Sequence, residues 1–136
     1  MTILDAINTV DKLHANQYDE DTKIDWLDQL DRHIYNDLIL THEIEDAPTF
    51  SGYDTNTDVN TVLLAPDEFR EVYRWWLEMQ IDKANAELVK YNNDMQLYNS
   101  AYHALASWYN RQYTPKMAVR NISFIGRVPN VLSEFE

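Results

Sequence analysis

The sequence predicts an all-α fold: a small helical bundle with a long loop between its second and third helices and an extended C-terminal tail. Three observations support this class. Only 2 glycines and 4 prolines occur in 136 residues, while aromatic residues reach 12%, which favours packed helices over a sandwich or barrel. Outside residues 43–65, apolar residues recur at a helical period as far as residue 112. Cysteine is absent, so the chain is not a disulfide-stabilised scaffold.

The first two helices have recognisable starts. Thr2 can cap the first helix, and Asp5 lies in its first turn, where the helix dipole favours an acid. The second helix is predicted from Thr22 to His42, because Thr22 and Asp25 resemble a capping box. Its apolar ladder, with the acidic residues on other faces, is Ile24, Leu27, Leu30, Ile34 and Leu38.

The segment 43–65 has no helical period. Pro48, Gly52 and a run of Asp, Asn and Thr predict a surface loop. A loop of this length in a small domain is more often functional than idle.

A third helix is predicted to begin at Pro66, and its apolar period continues through Tyr109. One unbroken helix to residue 112 would be about 68 Å long, which exceeds a small domain. We therefore expect a break, at Asn92–Asn93. Pro115 ends the helical part.

Charge divides the chain into two parts. Residues 1–94 contain 21 of the 23 acidic residues and 7 basic ones, whereas residues 95–133 contain no acid. The net charge of −12 argues against ordinary nucleic-acid binding, which needs clustered Lys and Arg. The sequence predicts a helical domain over residues 1–113 and an extended docking tail over residues 114–136.

The tail has two interpretations. One is a disordered terminus, which is common at chain ends. The other is a segment that becomes ordered on a partner, favoured because the tail has too many large apolar residues for a solvated segment. Residues 119–128 have the composition of a short strand, and the helical sequence offers no obvious edge for it. We therefore expect the partner edge to lie on another chain.

No motif for catalysis or metal binding is complete. Residues 54–60 copy the first half of a calcium loop, but Val59 replaces the glycine and Ala65 replaces the bidentate glutamate. An Asx-rich turn is the favoured interpretation. There is neither a phosphate-binding glycine loop nor a nucleophile elbow. The sequence predicts a protein that is not an enzyme and has no metal or cofactor.

The chain shows no membrane or export signal. No apolar run approaches the roughly 20 residues that a membrane span needs. The acidic first residues do not resemble a signal peptide. We expect an intracellular protein that does not bind membranes.

Trp75 and Trp76 point in adjacent directions on one predicted helix. One face cannot bury both rings. Either two sides of that helix are covered, or one ring lies in a subunit interface, where Trp is enriched.

Three segments together resemble a known class of virion protein. They are "DEDTKIDWLDQLDRHIY", "FSGYDTNTDVNTVLLAPDEFREVY" and "YNNDMQLYNSAYHALASWYNRQYTPK". They are similar to the head–tail connector, or adaptor, proteins encoded among the capsid and tail genes of tailed bacteriophages. The resemblance covers most of residues 1–116 and rests on the order of these segments and their residue composition.

The resemblance implies a structural protein of the virion neck, made in the host cytoplasm. Identical subunits would form a ring, a dodecamer, beneath the portal protein. The ring would extend the DNA channel towards a tail-side connector or tail protein, and DNA would pass without specific binding. An acidic wall would repel phosphates.

Residues can be assigned to these roles as expectations. The portal-docking residues would be Arg120, Ile122, Phe124, Ile125, Arg127 and Val128. The subunit or tail-side interface would include Phe50, Tyr53, Asp54, Asp58 and Trp75. The channel-lining acids would be Asp25, Asp28 and Asp31.

Two alternatives stay open. The chain could be an acidic regulatory protein that mimics DNA on the DNA site of a host protein. It could also be another head-closure or tail-completion protein, although those are more often rich in β-structure.

Overall fold

The computed structural model describes residues 1–116, of which 63% are helical. The predicted mainly α class is confirmed. The helices are α1 (Ile3–Leu13), α2 (Glu20–Ile34), α3 (Glu71–Ala84) and α4 (Leu88–Gln112), and the two-residue strands are β1 (His42–Glu43) and β2 (Thr114–Pro115).

Helix α1 begins as predicted. The Asp5 amide donates to Thr2 Oγ1, and the Thr2 amide donates to Asp5 Oδ2, both at 3.1 Å. This reciprocal capping box satisfies two donors that the first helical turn leaves free. The end of the long loop lies beside this start, since the Ile3 amide donates to the Thr61 carbonyl at 3.0 Å.

Helix α2 begins earlier than predicted. Its N-cap is Asp19, whose carboxylate accepts from the Thr22 amide at 2.9 Å. The predicted box of Thr22 and Asp25 is therefore wrong, because Asp19 already fills the capping position. The predicted apolar ladder is buried along its whole length. A π-helical turn (Tyr35–Ile39) follows α2 directly.

The predicted break in the long C-terminal helix exists, but its position was wrong. The chain leaves the helix at Asn85, and Ala86 adopts a positive φ of 59°. Asn92 and Asn93 lie exposed inside α4. The Asn85 side chain accepts a hydrogen bond from the Tyr18 hydroxyl at 2.6 Å. Helices α3 and α4 then pack along each other in the most extensive contact between elements.

The core draws on all four helices. Its fully buried side chains include Ile3, Val10, Leu27, Leu30, Ile34, Val72, Tyr73, Leu77, Ile81 and Leu105. Removing this apolar surface from water is the main force that holds the helices together. Within residues 1–116, no helix is long and apolar enough to cross a membrane.

The first residues after α4 pair with the same chain. Strands β1 and β2 are antiparallel, with His42 opposite Pro115 and Glu43 opposite Thr114. The Lys116 amide donates to the Thr41 carbonyl at 2.9 Å. Residues 114–116 therefore find an edge within their own chain, whereas the predicted strand at residues 119–128 lies outside the described residues. The six predicted portal-docking residues lie outside the described residues.

Candidate functional site

A buried carboxylate on α2 joins three parts of the chain. Asp31 is 0% exposed. Its Oδ1 accepts from the Tyr73 hydroxyl on α3 at 2.6 Å, and its Oδ2 accepts from the Tyr53 hydroxyl in the long loop at 2.6 Å. The Leu64 amide, near the end of that loop, donates to Oδ2 at 3.1 Å. We call these groups the Asp31 network.

The prediction that Asp31 lines a channel is wrong. Its carboxylate faces the long loop and α3 and is sealed from solvent. The sequence of α2 does not reveal the burial of Asp31. Its hydrogen-bond donors come from distant parts of the chain, so within α2 it resembles an acid that faces solvent.

Burial dominates the electrostatics of the Asp31 network. It raises the pKa of Asp31, while the hydrogen bonds from Tyr53, Tyr73 and Leu64 oppose that rise. Burial, followed by the charge of Asp31, raises the pKa of Tyr73 well above its ordinary value. Tyr73 therefore stays a hydroxyl donor, and its oxygen also accepts from the Ala65 amide at 2.8 Å.

Asp28 also fixes the long loop. It accepts from the Tyr53 amide and from Arg32 Nη2, each at 2.9 Å, and its side chain is 14% exposed. Gly52 has a φ of 101°, and a Cβ there would lie 2.9 Å from Arg32 Nη2. Of the three predicted channel acids, only Asp25 is exposed.

The predicted interface residues of the loop fall into two groups. Phe50 and Tyr53 are half-buried and pack on each other, with ring centroids 5.1 Å apart. Asp54 and Asp58 are exposed, and each accepts from the backbone amide two residues further on, at 2.8 and 2.9 Å. These are the Asx turns that the sequence favoured over a calcium loop. The interface role of all four residues stays a prediction.

Both tryptophans of α3 have partners within the chain. The Trp76 indole N–H donates to the Trp26 carbonyl at 2.7 Å. The Arg74 guanidinium lies 4.3 Å from the Trp75 ring centroid. Because Arg74 belongs to α3 itself, this contact does not decide between the two alternatives for Trp75. A subunit-interface role for Trp75 stays a prediction.

A second group of buried acids lies where α3 meets α4. Glu78, Asp82 and Asp94 are 7%, 2% and 9% exposed, and they line a cavity of about 300 Å³. His14, just after α1, also lines it, with Nδ1 2.5 Å from Glu78 Oε1. The Asp82 and Asp94 carboxyl groups both line this cavity and interact there.

The contact between Asp82 and Asp94 lacks donors. Asp82 Oδ1 and Asp94 Oδ2 are buried and receive no hydrogen bond from the described residues. Burial, the hydrogen bond with Asp82, and the negative charges of Asp82 and Glu78 raise the pKa of Asp94 to about 7. Asp94 therefore keeps its proton to a higher pH than an ordinary aspartate, whose pKa is 3.8.

No carboxylate pair stands out from the sequence, although one signal was present. Asp94 stands three residues after Tyr91 and four before Tyr98, which places it on the inward stripe of α4. Asp82 follows Glu78 by four residues, so both lie on one side of α3. Acids that fall on a packed stripe are candidates for buried, titrating groups.

Comparison with known proteins adds no relative. No protein-family model, curated protein or solved structure matches this chain. In the described part of the chain, no group of three or more His, Cys, Asp or Glu side chains is arranged to hold a metal ion.

Proposed function

We propose that this chain is a head–tail connector, or adaptor, of a tailed bacteriophage, built as a small helical bundle that forms a ring beneath the portal. The observation that carries the proposal is the attachment of an acid-free segment to a strongly acidic helical body. Residues 95–133 contain no acid, and strand β2 fixes the start of the tail beside β1.

The acidic helical body is suited to form the wall of a channel through which DNA moves. Residues 1–94 contain 21 acidic and 7 basic residues. Such a surface repels phosphates and holds no strand in place. On α2 the exposed acids available for this role are Glu20, Asp21 and Asp25. Asp31 is excluded from it by its burial.

The tail suits docking on the portal. It combines Arg120 and Arg127 with apolar residues, and an extended segment of this kind can add to a sheet edge or fill apolar pockets of a partner. The β1–β2 pairing gives every subunit the same starting point for its tail. A ring of identical subunits would then present its tails in a regular array.

The long loop suits a contact with a neighbouring subunit or a tail-side protein. Asp28 and the Asp31 network hold it from both ends of Tyr53, through the amide and the hydroxyl. A loop that is already ordered loses little conformational freedom on binding. Its exposed Asp54 and Asp58 remain accessible to a partner.

The alternatives receive less support. A DNA mimic needs carboxylates spaced like phosphates on one rigid face, and on α2 both Asp28 and Asp31 are engaged within the chain. Head-closure and tail-completion proteins are more often rich in β-structure, whereas this chain is mainly helical.

The test mixes the full-length chain with a portal protein from the genome that encodes it and examines the particles by size-exclusion chromatography and electron microscopy. We expect rings or a portal complex with the unchanged chain. A full-length variant with Arg120→Glu, Phe124→Asp and Arg127→Glu should lose portal binding while its circular dichroism spectrum is unchanged. The control, Asp25→Asn, should still bind portal.

Two results would count against the connector. One is the absence of both rings and portal binding at every salt concentration. The other is capture of a host nucleic-acid-binding protein that persists in the tail variant and disappears when Glu20, Asp21 and Asp25 are neutralised together. The second result would favour the DNA mimic.

A further inference from the structure

We propose that Asp82 and Asp94 share one proton and that this proton joins α3 to α4, so that the corner between the two helices loosens when the pair becomes fully ionised. We call the two residues the proton-sharing pair. This inference concerns the helical body alone and does not depend on the connector function.

The position of the pair makes it a link across the corner. Asp82 lies in the last turn of α3, and its carbonyl accepts from the Glu87 amide at 2.9 Å. Asp94 lies in the second turn of α4. Only residues 85–87 separate the two helices. A bond between the Asp82 and Asp94 side chains therefore closes a small loop at the point where the chain reverses.

The chemistry of the contact requires a proton. A carboxylate can only accept hydrogen bonds, so two ionised carboxylates in contact have no donor between them. Asp82 Oδ1 and Asp94 Oδ2 receive no hydrogen bond within residues 1–116. A single proton supplies the missing donor and removes one of two buried negative charges.

The charged groups that face the pair do not supply the missing hydrogen-bond donor. From α3, Glu78 adds a third negative charge. From the end of α1, His14 is bonded to Glu78. From α4, Lys90 is exposed and bonded to Glu87 at 3.2 Å. In the described part of the chain, no cationic side chain donates a hydrogen bond to Asp82 Oδ1 or Asp94 Oδ2.

The direction of the pH effect follows from the raised pKa of Asp94, about 7 against an ordinary 3.8. Between these values the folded chain keeps the proton and the unfolded chain does not. The stability from this proton is complete below about pH 4 and is lost as pH rises through about 7. Above that pH, two like charges repel each other across the corner.

The first test observes the pair directly in the unaltered full-length chain. Carbon-13 NMR of the aspartate side-chain carboxyl groups is followed from pH 4 to pH 9. We expect the resonance assigned to Asp94 to titrate with a midpoint near 7. A midpoint below pH 5 for Asp94 would overturn the proposal, because the pair would then hold no proton at neutral pH.

The second test compares urea unfolding of the full-length chain with that of Asp94→Asn over the same pH range. Relative to the variant, the folded-to-unfolded ratio of the unaltered chain should fall by up to about tenfold per pH unit between pH 5 and 7. It should level off at higher pH. The asparagine amide replaces the proton as donor, so the variant should lack this dependence.

The control is Asp25→Asn, which removes the same charge from an exposed site and should follow the unaltered chain at every pH. Parallel curves for the unaltered chain and Asp94→Asn would overturn the proposal. If Asp94→Asn does not fold, Asp82→Asn makes the same substitution on the other side of the contact. Loss of portal binding in the tail variant has no bearing on any of these results.

Discussion

The molecule buries carboxyl groups in two places and treats them in opposite ways. Asp31 is surrounded by donors: two tyrosine hydroxyls and a backbone amide. Asp82 and Asp94 face each other, with one oxygen of each lacking any donor among the described residues. Burial raises the pKa of Asp31 and of Asp94 alike. What differs is the supply of hydrogen-bond donors.

The comparison separates a permanent anchor from a conditional one. At Asp31 the donors belong to the protein, so the long loop is held whenever the chain is folded. At the proton-sharing pair the donor is a proton, whose supply depends on the solution. Buried acids of similar exposure can thus have different roles, and the partners decide which role each has.

The largest effect is expected when the acceptor of the Asp31 network is removed. Asp31→Ala leaves the Tyr53 and Tyr73 hydroxyls and the Leu64 amide without their buried acceptor, which should lower the free energy of unfolding by about 3–5 kcal/mol. Chemical denaturation provides the measurement. Asp25→Ala, at an exposed position, should change it by less than about 0.5 kcal/mol. Equal losses for the two variants would contradict the anchor.

A smaller effect is expected from removing single donors. Tyr73→Phe should cost about 1–3 kcal/mol, because the fully buried hydroxyl serves both Asp31 and the Ala65 amide. Tyr53→Phe should cost about 0.5–1.5 kcal/mol, since Tyr53 is only half-buried and water can replace part of its bond. The two free energies of unfolding give the ranking, and a reversed order would show that burial does not control the strength of these bonds.

The smallest effect is expected at the edge of the second site. Glu78→Gln removes a negative charge that raises the pKa of Asp94. The NMR midpoint of the proton-sharing pair should therefore move to lower pH, by a fraction of a unit. The charge of His14 acts on Asp94 in the opposite sense, but less strongly than that of Glu78. A midpoint that stays fixed or rises would contradict the claim that the charge of Glu78 raises the pKa of Asp94.

The local sequence pattern predicts most of the helices. The ladder from Ile24 to Leu38 is buried as predicted, and Thr2 caps α1 as predicted. Such features depend on neighbours within one or two turns, which the sequence displays directly.

Features set by distant contacts could not be placed in the same way. The corner lies at Asn85, whose side chain accepts a hydrogen bond from the Tyr18 hydroxyl, 67 residues earlier. The sequence alone favours Asn92–Asn93, because two adjacent asparagines have low helix propensity. Asp31 meets donors that are 22, 33 and 42 residues away. No local period reveals such partners, so an acid at a buried junction resembles an acid on a surface.

The π-helical turn after α2 shifts the phase of everything that follows it. The Leu40 amide donates to the Tyr35 carbonyl, five residues back, at 2.9 Å. This spacing holds one residue more than an α-helical turn, so the subsequent chain is rotated by about 100° relative to an uninterrupted α-helix. Leu38 and Ile39, two adjacent residues of this turn, are both buried. The orientation of β1, and with it the point where the C-terminal segment joins the body, thus depends on a single additional residue.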